Sequence, residues 1–263
     1  ELITNISWID RETKYADIYY ISNQSDLRQE LDFSFRIGDR AAEFWYPDKG
    51  TIKNASYQIK DERTIVPLDL EPYASLYVVF RTQAKSKSQR IEKLEKSSTI
   101  RIKGPWTVQF PVGWGAPEKI DLPKLISWTK HKNSGVKYFS GTADYKKSIN
   151  ISRDHLKKDS IIRLDLGEVR DIAEVYMNGK KVATLWKAPY HSDISDYVKP
   201  GENQLHIKVT NQWNNRLAGD QSLPENERIL DAFTPKFRSQ WKAQKSGLIG
   251  PVKIISLVRK NEK

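Results

Sequence analysis

The 263-residue sequence contains no cysteine. Disulfides, thiolate metal sites and cysteine nucleophiles are thereby excluded. The redox compartment stays open, because a secreted protein need not carry disulfides. No apolar run reaches bilayer-spanning length, and no secretory leader is present. The phosphate-binding G-x-x-x-x-G-K-[ST], the dinucleotide-binding G-x-G-x-x-G, the nucleophile elbow G-x-S-x-G and the zinc motif H-E-x-x-H are all missing. Histidine is scarce. His131, His155, His191 and His206 are scattered, and each reads as a surface residue rather than a ligand. The chain begins at Glu1 without a methionine, as expected of a piece of a longer protein whose leader would lie in the missing part.

What is present is basic charge, tryptophan and short strands. The net charge of +11 raises nucleic acid or acidic polysaccharide as partners. No nucleic-acid recognition motif accompanies it, so neither nucleic acid nor membrane is an expected partner. Part of the charge is local. Between residues 84 and 103 seven Lys/Arg face two Glu, which reads as a solvated segment.

In the first part, "YADIYYIS" (15–22) and "ELDFSFRI" (30–37) are aromatic and β-branched with alternating faces. "FWYPDKGTI" (44–52) is a strand end, a Pro-Asp-Lys-Gly turn and a new strand, and residues 62–81 give two strands around Glu71-Pro72. Turns recur about every ten residues with no helical periodicity, the pattern of a β-sandwich. Residues 83–99 are polar and read as a linker or short exposed helix. The expected organisation is a sandwich over 1–82, a linker over 83–99 and a second, larger antiparallel sandwich over 100–263.

The second part has cleaner alternation. Ala143, Tyr145, Lys147, Ile149 and Ile151 share one face of a strand. Ile162, Leu164 and Leu166 share another, as do Ala173, Val175 and Met177, and Leu205, Ile207 and Val209. Asn178-Gly179 forms a tight hairpin turn. Residues 212–245 lack strand pattern and form a long excursion. Trp106 and Trp128 sit inside apolar strands and read as core.

Two kinds of site are considered. A glycosidase needs two carboxyl groups at a defined separation across a cleft. The sequence marks out no such pair, and Asp144, Asp165, Asp171 and Asp193 all fit turn or strand-edge roles. Sugar binding needs a flat aromatic face with amides or guanidinium groups beside it. Trp186, Tyr190, Trp213, Asn214, Asn215 and Arg216 supply these groups at predicted strand ends and loops, and Trp114, flanked by two glycines, is the most loop-like tryptophan. The same tryptophans could pack the sandwich edge, with the asparagines satisfying turn backbone. Trp241 is open between these roles.

"GPWTVQF", "IDLPKLISWT", "GVKYFSGTADYKKSINI" and the run from "LDLGEVRDIAEVYMNGKK" to "QLHIKVTN" occur in an order that resembles the jelly-roll, galactose-binding-like domain of family 2 type glycoside hydrolases. "QWNNRLAGDQSLPENE" and "SGLIGPVKI" resemble more specifically the C-terminal end of family 106 α-L-rhamnosidases. "DRETKYADIYYISNQSD", "AEFWYPDKGTI" and "VPLDLEPYASLYVVFR" resemble the sandwich that follows the catalytic barrel in those enzymes. The resemblance implies an all-β fold of two sandwiches and a non-catalytic accessory region of a rhamnosidase-type glycoside hydrolase acting on plant or algal polysaccharide. A stand-alone carbohydrate-binding module is the alternative.

In that family the catalytic carboxylates sit on an upstream (β/α)₈ barrel, and this chain has no strand–helix alternation. No catalytic residue is therefore carried over. The implied partners are carbohydrate and an upstream barrel of the same polypeptide, and the seven candidates named above could equally pack against that barrel. The implied location is secreted, periplasmic or cell-surface. No cofactor is implied beyond a structural calcium held by carbonyls and Asp/Asn, whose ligands carry no sequence signature.

Overall fold

The computed structural model describes residues 5–221, 223–230 and 241–259. It is an all-β chain with two compact units, Glu1–Lys93 and Leu94–Lys263. All strand pairs described below are antiparallel.

The first unit contains β1 (Ile6–Glu12), β2 (Asp17–Asn23), β3 (Gln29–Phe35), β4 (Arg40–Tyr46), β5 (Thr51–Asn54), β6 (Tyr57–Lys60), β7 (Arg63–Leu70), β8 (Ser75–Gln83) and β9 (Ser88–Gln89). They form two sheets, β1-β2-β8-β4-β5 and β3-β7-β6-β9. The alternation seen in the sequence is the packing code. Val66, Leu68 and Leu70 of β7 point inward against Leu76, Val78 and Phe80 of β8. Tyr19, Phe35 and Phe80 meet edge-on or tilted, with ring centroids 4.7–6.0 Å apart, the geometry that aromatic quadrupoles favour.

The second unit contains β10 (Leu94–Arg101), β11 (Trp106–Gln109), β12 (Lys119–Leu122), α1 (Ser134–Lys137), β13 (Thr142–Ile151), β14 (Ile161–Asp165), β15 (Glu168–Arg170), β16 (Ile172–Met177), β17 (Lys180–Leu185), β18 (His191–Asp193), β19 (Gly201–Thr210), α2 (Asn214–Asp220), β20 (Gly247–Gly250) and β21 (Lys253–Arg259). A six-stranded sheet, β12-β11-β13-β19-β16-β17, faces a four-stranded one, β10-β21-β14-β18, with β15-β20 as a short third ladder. All four inward sets read from the sequence line the core apart from Lys147, whose amine reaches the Pro105 carbonyl at 2.7 Å. Asn178 and Gly179 both have positive φ, at 52° and 80°, as a type I′ hairpin demands.

Trp106 and Trp128 are both buried as expected, but only Trp106 is on a strand; Trp128 opens a 3₁₀ turn, Trp128–Lys130. Trp128 Nε1 donates to the Tyr145 hydroxyl at 2.6 Å, and the Leu248 N–H donates to the same oxygen at 3.1 Å. Gly247 allows this closeness: a Cβ there would lie 2.6 Å from the Trp128 ring.

The stretch 83–99 departs from its reading as a linker or helix. Residues 94–101 form β10, which pairs with β21 from Leu94↔Arg259 to Arg101↔Lys253. Ser98 and Ile100 are the half-buried positions of that strand. Its alternating charges disguised it, because an edge strand with a wet face needs few apolar residues. His206 is likewise not simply a surface residue. It stacks on Tyr176 and pairs with Asp144 at 2.5 Å.

Candidate functional site

One end of the second unit gathers three chain segments: the β15–β16 junction, the β19–α2 junction and the residues leading into β20. They enclose a cleft of about 340 Å³ lined by Arg170, Asp171, Asn211, Gln212, Asn214, Asn215, Gln244, Lys245 and Ser246.

Local hydrogen bonding explains why the segments meet. Asn211 clips the end of β19 to the loop before β13: its Oδ1 accepts from Gly141 N at 2.9 Å, and its Nδ2 donates to the Phe139 carbonyl at 2.9 Å. Asn215 grips the opposite wall. Its Nδ2 donates to the Gln244 carbonyl at 2.9 Å and to Ser246 Oγ at 3.0 Å, and its Oδ1 accepts from Gln244 N at 2.7 Å. Asn214 Nδ2 donates to the Lys242 carbonyl at 2.7 Å. The third segment is fixed by Asp171 N donating to Thr210 O at 2.9 Å and by the Tyr190 hydroxyl donating to the Asp171 carbonyl at 2.7 Å. Burial raises the pKa of that Tyr190 hydroxyl, with Asp171 adding to the effect, so it stays a donor at neutral pH.

Two lining side chains are left over. The Asp171 carboxylate and the Gln212 amide have no hydrogen-bond partner among the described residues. At the rim, Arg170 and Lys245 both reach Glu168, at 2.9 and 3.4 Å. The Arg170 hydrogen bond, followed by Lys245, holds the Glu168 carboxyl below its usual range.

Beside the cleft in sequence, between Gln212 and Asn214, Trp213 is 52% exposed. Its ring lies against Trp114, centroids 5.5 Å apart and planes tilted 46°. Trp114 reaches that place from a loop in which both flanking glycines adopt φ of +82°. Gly115 also makes room for its neighbours, since a Cβ there would approach Ile229 Cδ1 to 2.8 Å and Arg216 Nη1 to 3.3 Å.

The sequence-derived candidates therefore separate. Asn214 and Asn215 line the cleft, Trp114 and Trp213 form one aromatic pair, and Tyr190 acts from behind through the Asp171 backbone. Two candidates need correction. Arg216 does not offer its guanidinium outward: it is 5% exposed and meets Asp220, 0% exposed, at 2.7 Å. The contact lies off the hydrogen-bonding line, leaving Arg216 Nε and Asp220 Oδ1 without hydrogen bonds among the described residues, while Asp220 Oδ2 accepts from Ile229 N and Leu230 N. Asn215, 2% exposed, spends its amide within the chain. Both are anchors for the excursion, Arg216 within α2 and Asn215 across 29 residues to Gln244. Trp186 is 58% exposed and outside the cleft lining, with Lys187 over its ring. Trp241 lends its carbonyl to Gln221 Nε2; residues 222 and 231–240 of the excursion lie outside the described set.

In the sequence Asp171 reads as a plain strand-edge residue, and nothing there marks Gln212 or the 244–246 wall. Asp165 and Asp193 do serve turns, accepting from Gly167 N and Ser195 N, and nothing local distinguishes Asp171 from them. No three His, Asp or Glu stand together to hold a metal among the described residues. The calcium implied by resemblance, which needs roughly six to eight oxygens, thus finds no acidic cluster, and no ligand is assigned to it.

The chain was compared with known proteins. Residues 1–59 match the α-L-rhamnosidase family model of glycoside hydrolase family 106. Residues 128–246 match the galactose-binding domain-like model of glycosyl hydrolase 2. A solved rhamnosidase from Novosphingobium sp. PP1Y superposes with a TM-score of 0.88 at 35% identity, covering 97% of this chain and 24% of that one. A curated relative from Formosa agariphila, named "Putative beta-glucuronidase", is 43% identical over 185 residues, 62% of this chain and 16% of the relative. The chain thus spans less than a quarter of the length of either protein. It is similar to rhamnosidases of this kind in both units, and its second sandwich is galactose-binding-like.

Proposed function

We propose that this chain is a non-catalytic accessory region of an α-L-rhamnosidase-type glycoside hydrolase acting on plant or algal polysaccharide, and that its second unit contacts carbohydrate at the cleft. One observation carries the cleft assignment: the Asp171 carboxylate and the Gln212 amide line it without a hydrogen-bond partner among the described residues, and exposed Trp213, next in sequence to Gln212, packs on the partly buried Trp114. A pyranose presents an apolar C–H face and a rim of hydroxyls. The tilted tryptophans accept the face. Asp171 accepts from hydroxyls, and Gln212 both donates and accepts. The clamps made by Asn211 and Asn215 hold these groups in place before the ligand arrives, which lowers the ordering cost of binding.

Support for an accessory role comes from proportion and from chemistry. The rhamnosidase likeness covers 97% of this chain yet only 24% of the solved enzyme. Glycoside hydrolysis needs two carboxyl groups about 5–9.5 Å apart, and the cleft lining contributes one, Asp171. In this reading the catalytic pair lies on an upstream barrel of the same polypeptide, located outside the cytoplasm. Exposed Trp186 then serves contact with that neighbour.

Affinity electrophoresis with rhamnose-containing polysaccharide tests the cleft. Retardation is expected for the native chain and is expected to weaken in Asp171→Asn and Trp213→Ala. Equal retardation of all three proteins would remove the cleft from the proposal.

A further inference from the structure

The first unit has a groove of its own, about 320 Å³ in volume, whose lining includes Trp8, Asp10, Tyr19, Phe33, Arg36 and Arg63. Its origin is an overhang. β1 and β3 are the outermost strands of their respective sheets. The β1–β2 register sets Trp8 opposite Ile21 and Asp10 opposite Tyr19, so these β1 side chains project on the face that β2 turns inward. Ile21 is fully buried, yet Trp8 is 60% exposed. The core closes over β2 and stops short of β1.

The groove collects polar groups that the unit leaves unused. Arg63 is oriented by Ser34, with Nε donating to Oγ at 2.7 Å and Nη2 to the carbonyl at 2.8 Å. Among the described residues no hydrogen bond is made by its Nη1, by the Arg36 guanidinium, by the Asp10 carboxylate or by the Tyr19 hydroxyl, all of them in the groove lining. These charges act on the hydroxyl. Burial, then Asp17 and Asp10, push the Tyr19 pKa up, and Arg36 and Arg63 oppose them.

We propose that this groove is a second glycan site, distinct from the cleft of the other unit, and that it takes an acidic sugar, one bearing a carboxylate or a sulfate. The assignment follows from the combination. The Trp8 indole fits the C–H face of a pyranose, Asp10 accepts from hydroxyls, and the acidic substituent takes the donor fork of Arg36 and the remaining Nη1 of Arg63. A neutral sugar leaves the guanidinium groups idle, and a simple inorganic anion gains nothing from Trp8 and is repelled by Asp10. Residues 1–93 hold 14 Lys/Arg against 15 Asp/Glu. Discrimination for the anion therefore comes from these two arginines and not from a general basic field.

Isothermal titration of the whole chain tests this with two matched pairs: oligogalacturonate against its carboxyl-reduced form, and oligocarrageenan against its desulfated form. The acidic member of at least one pair is expected to bind tenfold or more tightly than its neutral partner, and which pair responds identifies carboxylate or sulfate. Arg36→Gln is expected to bring the acidic ligand down to the neutral level, and Trp8→Ala to weaken both. Both side chains are exposed, so the variants retain the fold, as circular dichroism would show. Trp186→Ala, outside the lining of both cavities, is expected to leave these affinities unchanged, and Arg36→Gln is expected to keep the retardation by rhamnose-containing polysaccharide, so this site and the cleft can fail separately. The proposal is overturned by absence of binding in both pairs, the result expected if the groove instead receives a protein strand along the free edge of β3. Binding that survives both Trp8→Ala and Arg36→Gln overturns it equally.

Discussion

Asn215→Ala removes the clamp that holds residues 244–246 against α2. Four hydrogen bonds disappear: two to the Gln244 backbone, one to Ser246 Oγ and a long one, 3.5 Å, from Asn214 Nδ2 that adds little. Gln244 is exposed, so water re-solvates its N–H and C=O, and each of those bonds is worth roughly 1 kcal/mol net. Ser246 is buried, and leaving its hydroxyl without this donor costs roughly 1–2 kcal/mol more. The total is about 3–4 kcal/mol, which lowers the melting transition of a unit this size by roughly 6–16 °C.

Asn215→Asp sharpens the test. It keeps the acceptor for Gln244 N, but it sets a charged oxygen against the Gln244 carbonyl in a buried position. At pH 7 it is expected to be more damaging than alanine. Burial and the facing carbonyl raise the carboxyl above the ordinary aspartate value of about 4. Its protonated form donates again, so the aspartate variant recovers stability relative to alanine as the pH falls through that raised value. Differential scanning calorimetry at pH 7 and pH 5 measures both effects, and the mild core change Ile254→Val marks which transition belongs to the second unit. An alanine variant within about 1 °C of the parent, or an aspartate variant milder than alanine at pH 7, would refute the reasoning.

Arg216→Met leaves the buried Asp220 without its cation. It is expected to cost about 3–5 kcal/mol, read as a lower denaturant midpoint of the second unit; an unchanged midpoint would contradict the ion-pair assignment. Burial raises the pKa of the Tyr145 hydroxyl, while the Leu248 and Trp128 donors partly oppose this. The folded state thus favours the neutral phenol. Its contribution is complete below the free-tyrosine value of about 10 and is lost as pH rises from there through the raised folded value. Melting temperature plotted against pH should show an alkaline fall that is shallower in Tyr145→Phe. Trp213→Ala and Trp114→Ala are each expected to weaken sugar retardation about tenfold, or roughly 1.4 kcal/mol, with Trp186→Ala unchanged.

Buried alternation was the readable layer of this sequence. Val66, Leu68 and Leu70, or Leu205, Ile207 and Val209, repeat with period two because each strand has one dry face. Asn178-Gly179 announces its turn through the positive φ that both residues tolerate. β10 escaped notice because its pattern is mostly wet, and α2 because seven residues give a helical period too few repeats to show. The cleft was half legible. Trp213 and Asn214 stood out by residue type, and Trp114 by its glycines. Asp171 and Gln244 come together with Asn214 only through long-range contacts: the hydrogen bond from Asp171 N to Thr210 O and the reach of Asn215 across 29 residues to Gln244. Arg216 misled for the opposite reason. An arginine beside asparagines resembles a binding surface, and its burial against Asp220 is settled by packing that no local pattern records. The excess positive charge also belongs to one unit: residues 94–263 hold 30 Lys/Arg against 18 Asp/Glu.

The central claim is that this chain binds carbohydrate without cleaving it. The direct measurement incubates the purified chain with an aryl α-L-rhamnoside at high protein concentration and follows aryl alcohol release and ligand binding in the same samples. Saturable binding that Trp213→Ala weakens, with no release above buffer, is the predicted result. Turnover that a single Asp or Glu substitution in this chain abolishes would contradict it.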